Sequence, residues 1–219
     1  MRARHKKWAA PYIRQHPNLI TTYAEKWRGK WQQRFDRHQP LELEIGTGKG
    51  RFIATIAKLN PQINFIGIEI EESIIAMALK KVVAARLKNV QLVEGNANVT
   101  YNFFSPHTVQ GLYLNFSDPW PKRRHTKRRL TSPHFLDQYY EILAPKAPIK
   151  FKTDNRNFFE YSLKSFNHRG LIFDDVTLDL HHSPEDAHNI MTEYEAKTMH
   201  KGPIYRLVAH FPIRSSNDD

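Results

Sequence analysis

The sequence predicts an α/β fold: a mostly parallel sheet with helices on both faces and an antiparallel hairpin at one edge. Three observations predict it. From Pro40 onward, β-rich apolar runs alternate with segments of helical spacing, as crossover units require. The first of those runs empties into a glycine turn, Gly46-Thr47-Gly48-Lys49-Gly50. The last two runs, 171–180 and 204–212, read as closing strands with the loop 181–203 between them.

Taken in order, residues 1–39 form a basic lead-in carrying Trp8, Tyr12, Tyr23, Trp27 and Trp31. Pro11, Pro17 and Gly29 interrupt it, which predicts short helices or a partly mobile arm ahead of a domain at 40–219. A short apolar strand follows at 41–45. Residues 51–59 have helical spacing, with Phe52, Ile53, Ile56 and Leu59 on one side. A second strand is expected at 64–70. The helix at 71–87 opens with Glu71 and Glu72, acids that suit the positive end of a helix dipole. Strands three and four are expected at 90–93 and 111–116. The helix at 132–143 carries Pro133 in its first turn, where a missing N–H costs nothing. A fifth strand at 148–152 and a helix at 156–166 complete the alternation. With the closing pair this makes a seven-stranded sheet. A loop as long as 181–203 is unusual in a compact domain unless it has a functional role.

Composition narrows the class. Of 219 residues, 40% are hydrophobic and 25% charged, the balance of a folded globular chain. No apolar run approaches the roughly 20 residues that span a bilayer. The start, MRARHKKWAA, lacks the apolar core of a secretory signal. The absence of cysteine excludes disulfides, thiol catalysis and thiolate metal sites, and fits a reducing cytoplasm. The net charge of +11 is local: residues 1–40 hold ten Lys/Arg against two acids, and 122–129 hold six Lys/Arg and no acid. Clustered cations of this kind favour a nucleic-acid partner, because they release counterions condensed on phosphates. A membrane-surface patch or plain solubility charge is the competing reading.

The segment Leu43-Glu44-Ile45-Gly46-Thr47-Gly48-Lys49-Gly50 has the form acid-x-Gly-x-Gly-x-Gly. A dinucleotide fingerprint would be G-x-G-x-x-G. Here the third glycine comes one residue early, and Glu44 adds a carboxylate that sits badly beside a pyrophosphate but well beside a cation. S-adenosylmethionine carries a sulfonium and an ammonium and no phosphate. Glu69 ends the second strand, where a carboxylate can accept from ribose hydroxyls, and Asn96 follows the third, where an adenine would lie. A nicotinamide dehydrogenase is the alternative, without a convincing hydride-transfer site.

The fourth strand delivers Asn115-Phe116-Ser117-Asp118-Pro119-Trp120-Pro121, which puts Asp118 at the reacting end on a rigid loop. Lys122 follows as a candidate substrate contact. Arg124, His125, Thr126, Lys127, Arg128 and Arg129 are candidate phosphate contacts, supplying affinity rather than sequence choice. Two further acidic clusters lie at predicted strand or loop positions: Asp154, and Thr192-Glu193-Tyr194-Glu195. A carboxylate there can accept both N1–H and N2–H₂ of guanine. His181, His182 and His188 have no standard zinc spacing, so no metal is expected.

LEIGTGKG, FIGIE, LNFSDPWPKRRHTKRRL, FKTDN and TEYE, in that order between about Trp27 and Pro212, resemble the bacterial tRNA (guanine-N7-)-methyltransferases, the TrmB family. The resemblance implies a class I Rossmann-like, S-adenosylmethionine-dependent fold. It also implies methylation of N7 of guanosine 46 in the tRNA variable loop by a monomer or homodimer. It places Glu44, Gly46, Gly48, Glu69, Asn96 and Asp118 at the cofactor, Asp118 also at the reaction, and Lys122, Asp154 and Thr192–Glu195 at the substrate. Residues 124–129 would touch RNA. The family usually carries an acid where this chain has Asn96. A non-catalytic RNA-binding module on the same fold, and a methyltransferase for another polyanion or amine, remain the alternatives.

Overall fold

The computed structural model describes residues 5–213, which form two compact units: 5–105 with 190–193, and 106–189 with 194–213. Residues 1–4 of the expected arm lie outside the described residues.

The first unit contains α1 (Ala9–Arg14), β1 (Ile20–Thr21), β2 (Leu41–Ile45), α2 (Arg51–Leu59), β3 (Asn64–Glu69), α3 (Glu72–Ala84) and β4 (Val90–Glu94). Its strands run in the order β1-β4-β3-β2, and every pair is parallel. Both faces are covered, so Leu43, Ile66, Ile68 and Leu92 are all buried and the strands read as near-continuous apolar runs. The register sets Glu44 opposite Gly67 and Glu69 opposite Glu94, which brings the strand-end acids to the same edge of this unit. Helix α2 buries Phe52, Ile53 and Ile56 as its spacing predicts. Leu59, expected on the same side, is instead exposed because it is the helix's final residue. At Gly50, a Cβ would lie 2.6 Å from that of Ala78, so the start of α2 can approach α3 only without a side chain.

The described part of the arm packs into this unit. Ala9, Ile13, Ile20, Ala24 and Trp31 are buried. The Trp31 indole N–H donates to the Phe103 carbonyl at 2.7 Å, and its ring stacks on Phe104 at 5.7 Å. Strand β1 pairs with β4, Ile20 beside Leu92. This raises the count of strands among the described residues from the expected seven to eight. Two residues between prolines and polar side chains have no period from which a strand can be read.

The second unit contains β5 (Gly111–Asn115), α4 (Pro133–Ile142), β6 (Ile149–Thr153), α5 (Arg156–His168), β7 (Ile172–Thr177), α6 (Glu193–Thr198, from Tyr194 onward) and β8 (Tyr205–His210). The order is β5-β6-β8-β7, with β5 and β6 parallel and β8 antiparallel to both neighbours. The closing strands thus form the expected antiparallel edge pair. The segment between them is not irregular: 3₁₀ turns at Leu180–His182 and Pro184–His188 lead to α6.

Candidate active site

In the first unit the glycine turn and the acids form one cluster. Gly46 takes φ +79° at the end of β2, a conformation that favours glycine, and a Cβ there would meet nothing within 4 Å. The loop therefore opens onto space. The Gly46 and Thr47 amides both donate to the Ile68 carbonyl, at 2.8 and 3.0 Å. Glu44 is buried at the turn and accepts from the Thr47 hydroxyl at 2.5 Å. Glu69 is held by three backbone amides: Oε2 accepts from Gly48 (3.1 Å), and Oε1 from Ile70 (2.9 Å) and Glu71 (3.1 Å). Three of a carboxylate's roughly four acceptor sites are thus used, leaving about one for a ligand hydroxyl. Burial raises the Glu69 pKa above the ordinary value, and the three N–H groups oppose part of that shift. Asn96 is exposed and caps a 3₁₀ turn by accepting from the Asn98 amide at 3.0 Å. Glu193, from 190–193, also belongs to this unit. It accepts from the Arg51 amide at 3.2 Å and pairs with Lys81 at 2.6 Å, beside the N-terminus of α2. Thr192, just before it, is half-buried.

In the second unit β5 ends abruptly. The Phe116 amide still pairs with the Lys152 carbonyl at 2.9 Å, but Phe116 itself takes φ +51° and Trp120 φ +41°. Left-handed backbone at two bulky residues is costly and persists only where packing enforces it. At Phe116 the Tyr194 ring packs against the turn, and at Trp120 the backbone is held by Arg129. Its guanidinium donates to the Pro119 carbonyl at 2.8 Å and the Trp120 carbonyl at 3.1 Å, and lies 4.3 Å from the Tyr161 ring centre. Asp118, between the two turns, is exposed. The Ser117 hydroxyl beside it is buried without a hydrogen-bond partner among the described residues.

The basic run folds as a 3₁₀ turn over Arg123–Arg128, preceded by an exposed Lys122. Thr126 is tied to the Arg123 carbonyl at 2.6 Å. Arg124, Lys127 and Arg128 are exposed. The Trp120 ring has Arg128 4.9 Å from its centre and His125 stacked at 5.8 Å. Partial desolvation, then the charges of Arg128, Arg124 and Lys122, push the His125 pKa below its usual value. Arg129 differs from its neighbours: it braces the Asp118 loop.

Asp154, exposed at the end of β6, accepts from the Tyr194 hydroxyl at 2.8 Å. Burial, then the Asp154 hydrogen bond and charge, raise the Tyr194 pKa. The Tyr194 ring lies 5.3 Å from that of Phe116. Glu195 is fully buried and points away from solvent, bonded to Lys152 and Asn189. The structure therefore brings Asp154, Tyr194 and the Phe116 turn together and sets Glu195 beneath the surface. Sequence reasoning did not single out Lys152, Asn189 or His181 as members of this cluster. Lys152 alternates with Phe151 just as Lys150 does, so the strand pattern by itself gave no signal that this lysine is buried. No helix is long and apolar enough to cross a membrane among the described residues.

Comparison with known proteins sets this geometry in a family. The Methyltransf_4 model of methyltransferases matches residues 38–207. The tRNA (guanine-N(7)-)-methyltransferase of Levilactobacillus brevis is 53% identical over 215 residues, covering 98% of this chain and all of the relative. That of Lactiplantibacillus plantarum is 52% identical, again over 98% of this chain and all of the relative. Among solved structures, the 16S rRNA methyltransferase KamB aligns with TM-score 0.61 at 14% identity, over 84% of this chain and 93% of its own. An antibiotic-related methyltransferase aligns with TM-score 0.59 at 20% identity, over 82% and 90%. Those two likenesses carry the fold, that of the class I methyltransferases. With a family model spanning most of the chain and full-length relatives at half identity, the chain belongs to the tRNA (guanine-N(7)-)-methyltransferase family.

Proposed function

We propose that the protein transfers a methyl group from S-adenosylmethionine to N7 of a guanosine in tRNA, at position 46 of the variable loop, in the cytoplasm. The observation that carries this reading is the 53% identity, over the whole length of the relative, to a tRNA (guanine-N(7)-)-methyltransferase.

The residues of the first unit suit the cofactor chemically. The turn at Gly46 leaves open space, Glu44 offers negative charge without a phosphate-binding pattern, and Glu69 retains acceptor capacity. Glu44, Gly46, Gly48, Glu69 and Asn96 hold the cofactor in this proposal, with Asp118 completing the set. When bound, S-adenosylmethionine supplies a methyl on a sulfonium sulfur, which keeps the bonding pair as the guanine lone pair takes the methyl.

Guanine N7 carries a bare lone pair, so no proton has to leave and no general base is required. The base becomes cationic instead. Asp118 stabilises that developing charge and orients the ring, acting by electrostatics rather than proton abstraction. Asp154, held by the Tyr194 hydroxyl, accepts from the N1–H and N2–H₂ edge and selects guanine. Lys122 and residues 192–194 complete the substrate set, while the buried Glu195 makes no direct contact with the substrate. The exposed cations among 124–129 grip the RNA backbone, and the exposed basic and aromatic side chains of the N-terminal segment, such as Tyr23, add to that grip.

The test uses methyl-labelled S-adenosylmethionine and unmodified tRNA, followed by digestion and identification of the labelled nucleoside. Labelled 7-methylguanosine, lost when guanosine 46 is replaced, is the expected product. A different labelled nucleoside, or none, overturns the reading. In the same assay Asp118→Asn lowers kcat by about a hundredfold, the scale of one lost charge-stabilising group, with tRNA binding retained. Full turnover in that variant would rule out the role given to Asp118.

A further inference from the structure

We propose that Lys152, Glu195, Asn189 and His181 form a buried positioning cluster that sets Tyr194 and Asp154 for the guanine. Glu195 then serves the substrate through this cluster and does not touch it. The proposal rests on the methyl-transfer reading.

All four residues lie in the second unit. The Lys152 ammonium donates to Glu195 Oε2 and to Asn189 Oδ1, both at 2.8 Å. The Asn189 amide nitrogen donates to Glu195 Oε1 at 2.8 Å and to Asp186 Oδ1 at 3.2 Å. His181 Nδ1 lies 2.9 Å from Asp186 Oδ1, and its Nε2 faces Glu195 Oε1 at 3.4 Å. The Lys152 and Glu195 side chains are 8% and 0% exposed. A charge buried this deeply must be paired and hydrogen-bonded, and here both ions are. An apolar pair of the same volume would anchor a helix as firmly at lower cost, so the ion pair has geometric selectivity as its distinguishing property. It admits one arrangement, whereas an apolar contact admits several.

That arrangement reaches the substrate residues through local geometry. Successive residues of a helix are turned by about 100°. With Glu195 pinned inward, Tyr194 is directed to the Phe116 ring and to Asp154. On β6, side chains two apart share a face, so pinning Lys152 fixes the strand end that carries Asp154. The same residue's carbonyl accepts from the Phe116 amide, where the Asp118 loop begins. Three substrate-side features thus depend on one buried pair.

The test compares the full-length protein with Glu195→Gln, His181→Ala and His181→Gln. Hydrogen exchange of the 194–198 amides is measured together with tRNA kinetics and binding of S-adenosylhomocysteine. Expected for Glu195→Gln and His181→Ala is exchange about tenfold faster in 194–198 with α4 and α5 unchanged. Their kcat falls about tenfold, as misplacement of a substrate contact does, while S-adenosylhomocysteine affinity stays within about twofold. His181→Gln, which keeps a hydrogen-bonding side chain, recovers most of the turnover. Exchange in 194–198 equal to the wild type would overturn the proposal. So would acceleration in all helices with a parallel loss of S-adenosylhomocysteine binding, which marks a general folding role. Failure of the wild type to make 7-methylguanosine would refute the functional reading instead, and the exchange data would still decide the cluster.

Discussion

Glu69 is a carboxylate whose surroundings disfavour its charge while three backbone N–H groups restore part of it. Its raised pKa has a definite sign in two measurements. In the window between its unfolded and folded values the folded state holds the extra proton, so its contribution to stability falls as pH rises through that window. Ligand binding runs the other way, because only the ionised form accepts from a hydroxyl without donating. Affinity for S-adenosylhomocysteine should therefore decline on acidification above pH 4.5, earlier than an ordinary glutamate would cause. Glu69→Gln should weaken binding by about 1.5–3 kcal/mol at pH 7, roughly ten- to a hundredfold, and abolish that acid limb. Calorimetric titration of both proteins across pH checks it, and identical profiles would remove Glu69 from the site. Asn96 gives the opposite expectation. It is exposed, and its side-chain oxygen caps a 3₁₀ turn, a task aspartate performs equally well. Asn96→Asp should leave the fold intact and change cofactor affinity by only about threefold, since the cap is preserved. Complete loss of binding would contradict that role.

At the scale of elements, the basic segment divides into two jobs that its sequence presents as one. Arg124 and Lys127 are exposed, whereas Arg129 is committed to the Pro119 and Trp120 carbonyls. Arg124→Gln and Lys127→Gln should each reduce the salt dependence of tRNA binding by about one phosphate contact. Arg129→Gln should leave that slope unchanged and lower kcat and thermal stability, because two carbonyls lose a charged donor. Binding titrations over a range of salt, beside melting curves, separate the two. The helices and strands themselves were legible because each buries an apolar face with a local period: Phe52, Ile53 and Ile56 on α2, or the apolar run of β3. Helix α6 was not legible. Its inward residue is Glu195, and a six-residue polar segment has no apolar periodicity to read.

Across the whole molecule, the N-terminal segment shows how composition and packing can disagree. Its charge and aromatic content read as an arm, yet Trp31 is buried on Phe104 and β1 extends the first unit's sheet. Trp31→Ala should cost roughly 3–5 kcal/mol in denaturant unfolding, the usual price of an emptied aromatic site. Tyr23→Ala, at a ring 58% exposed, should leave stability intact and weaken tRNA binding alone. Removing residues 1–30 should impair both ligands, since it deletes a strand with the buried Ile13, Ile20 and Ala24. By itself the sequence determined the alternating α/β plan, the glycine turn with its strand-end acids, and the Asp118 loop with its cations. Those features are local: their signals lie within a few residues of one another. Only the tertiary structure decided which charged residues face inward. Lys152 and Glu195 are 43 residues apart in the chain and 2.8 Å apart in space. A charge can be buried only where a distant partner meets it, and that meeting exists only once the chain has folded.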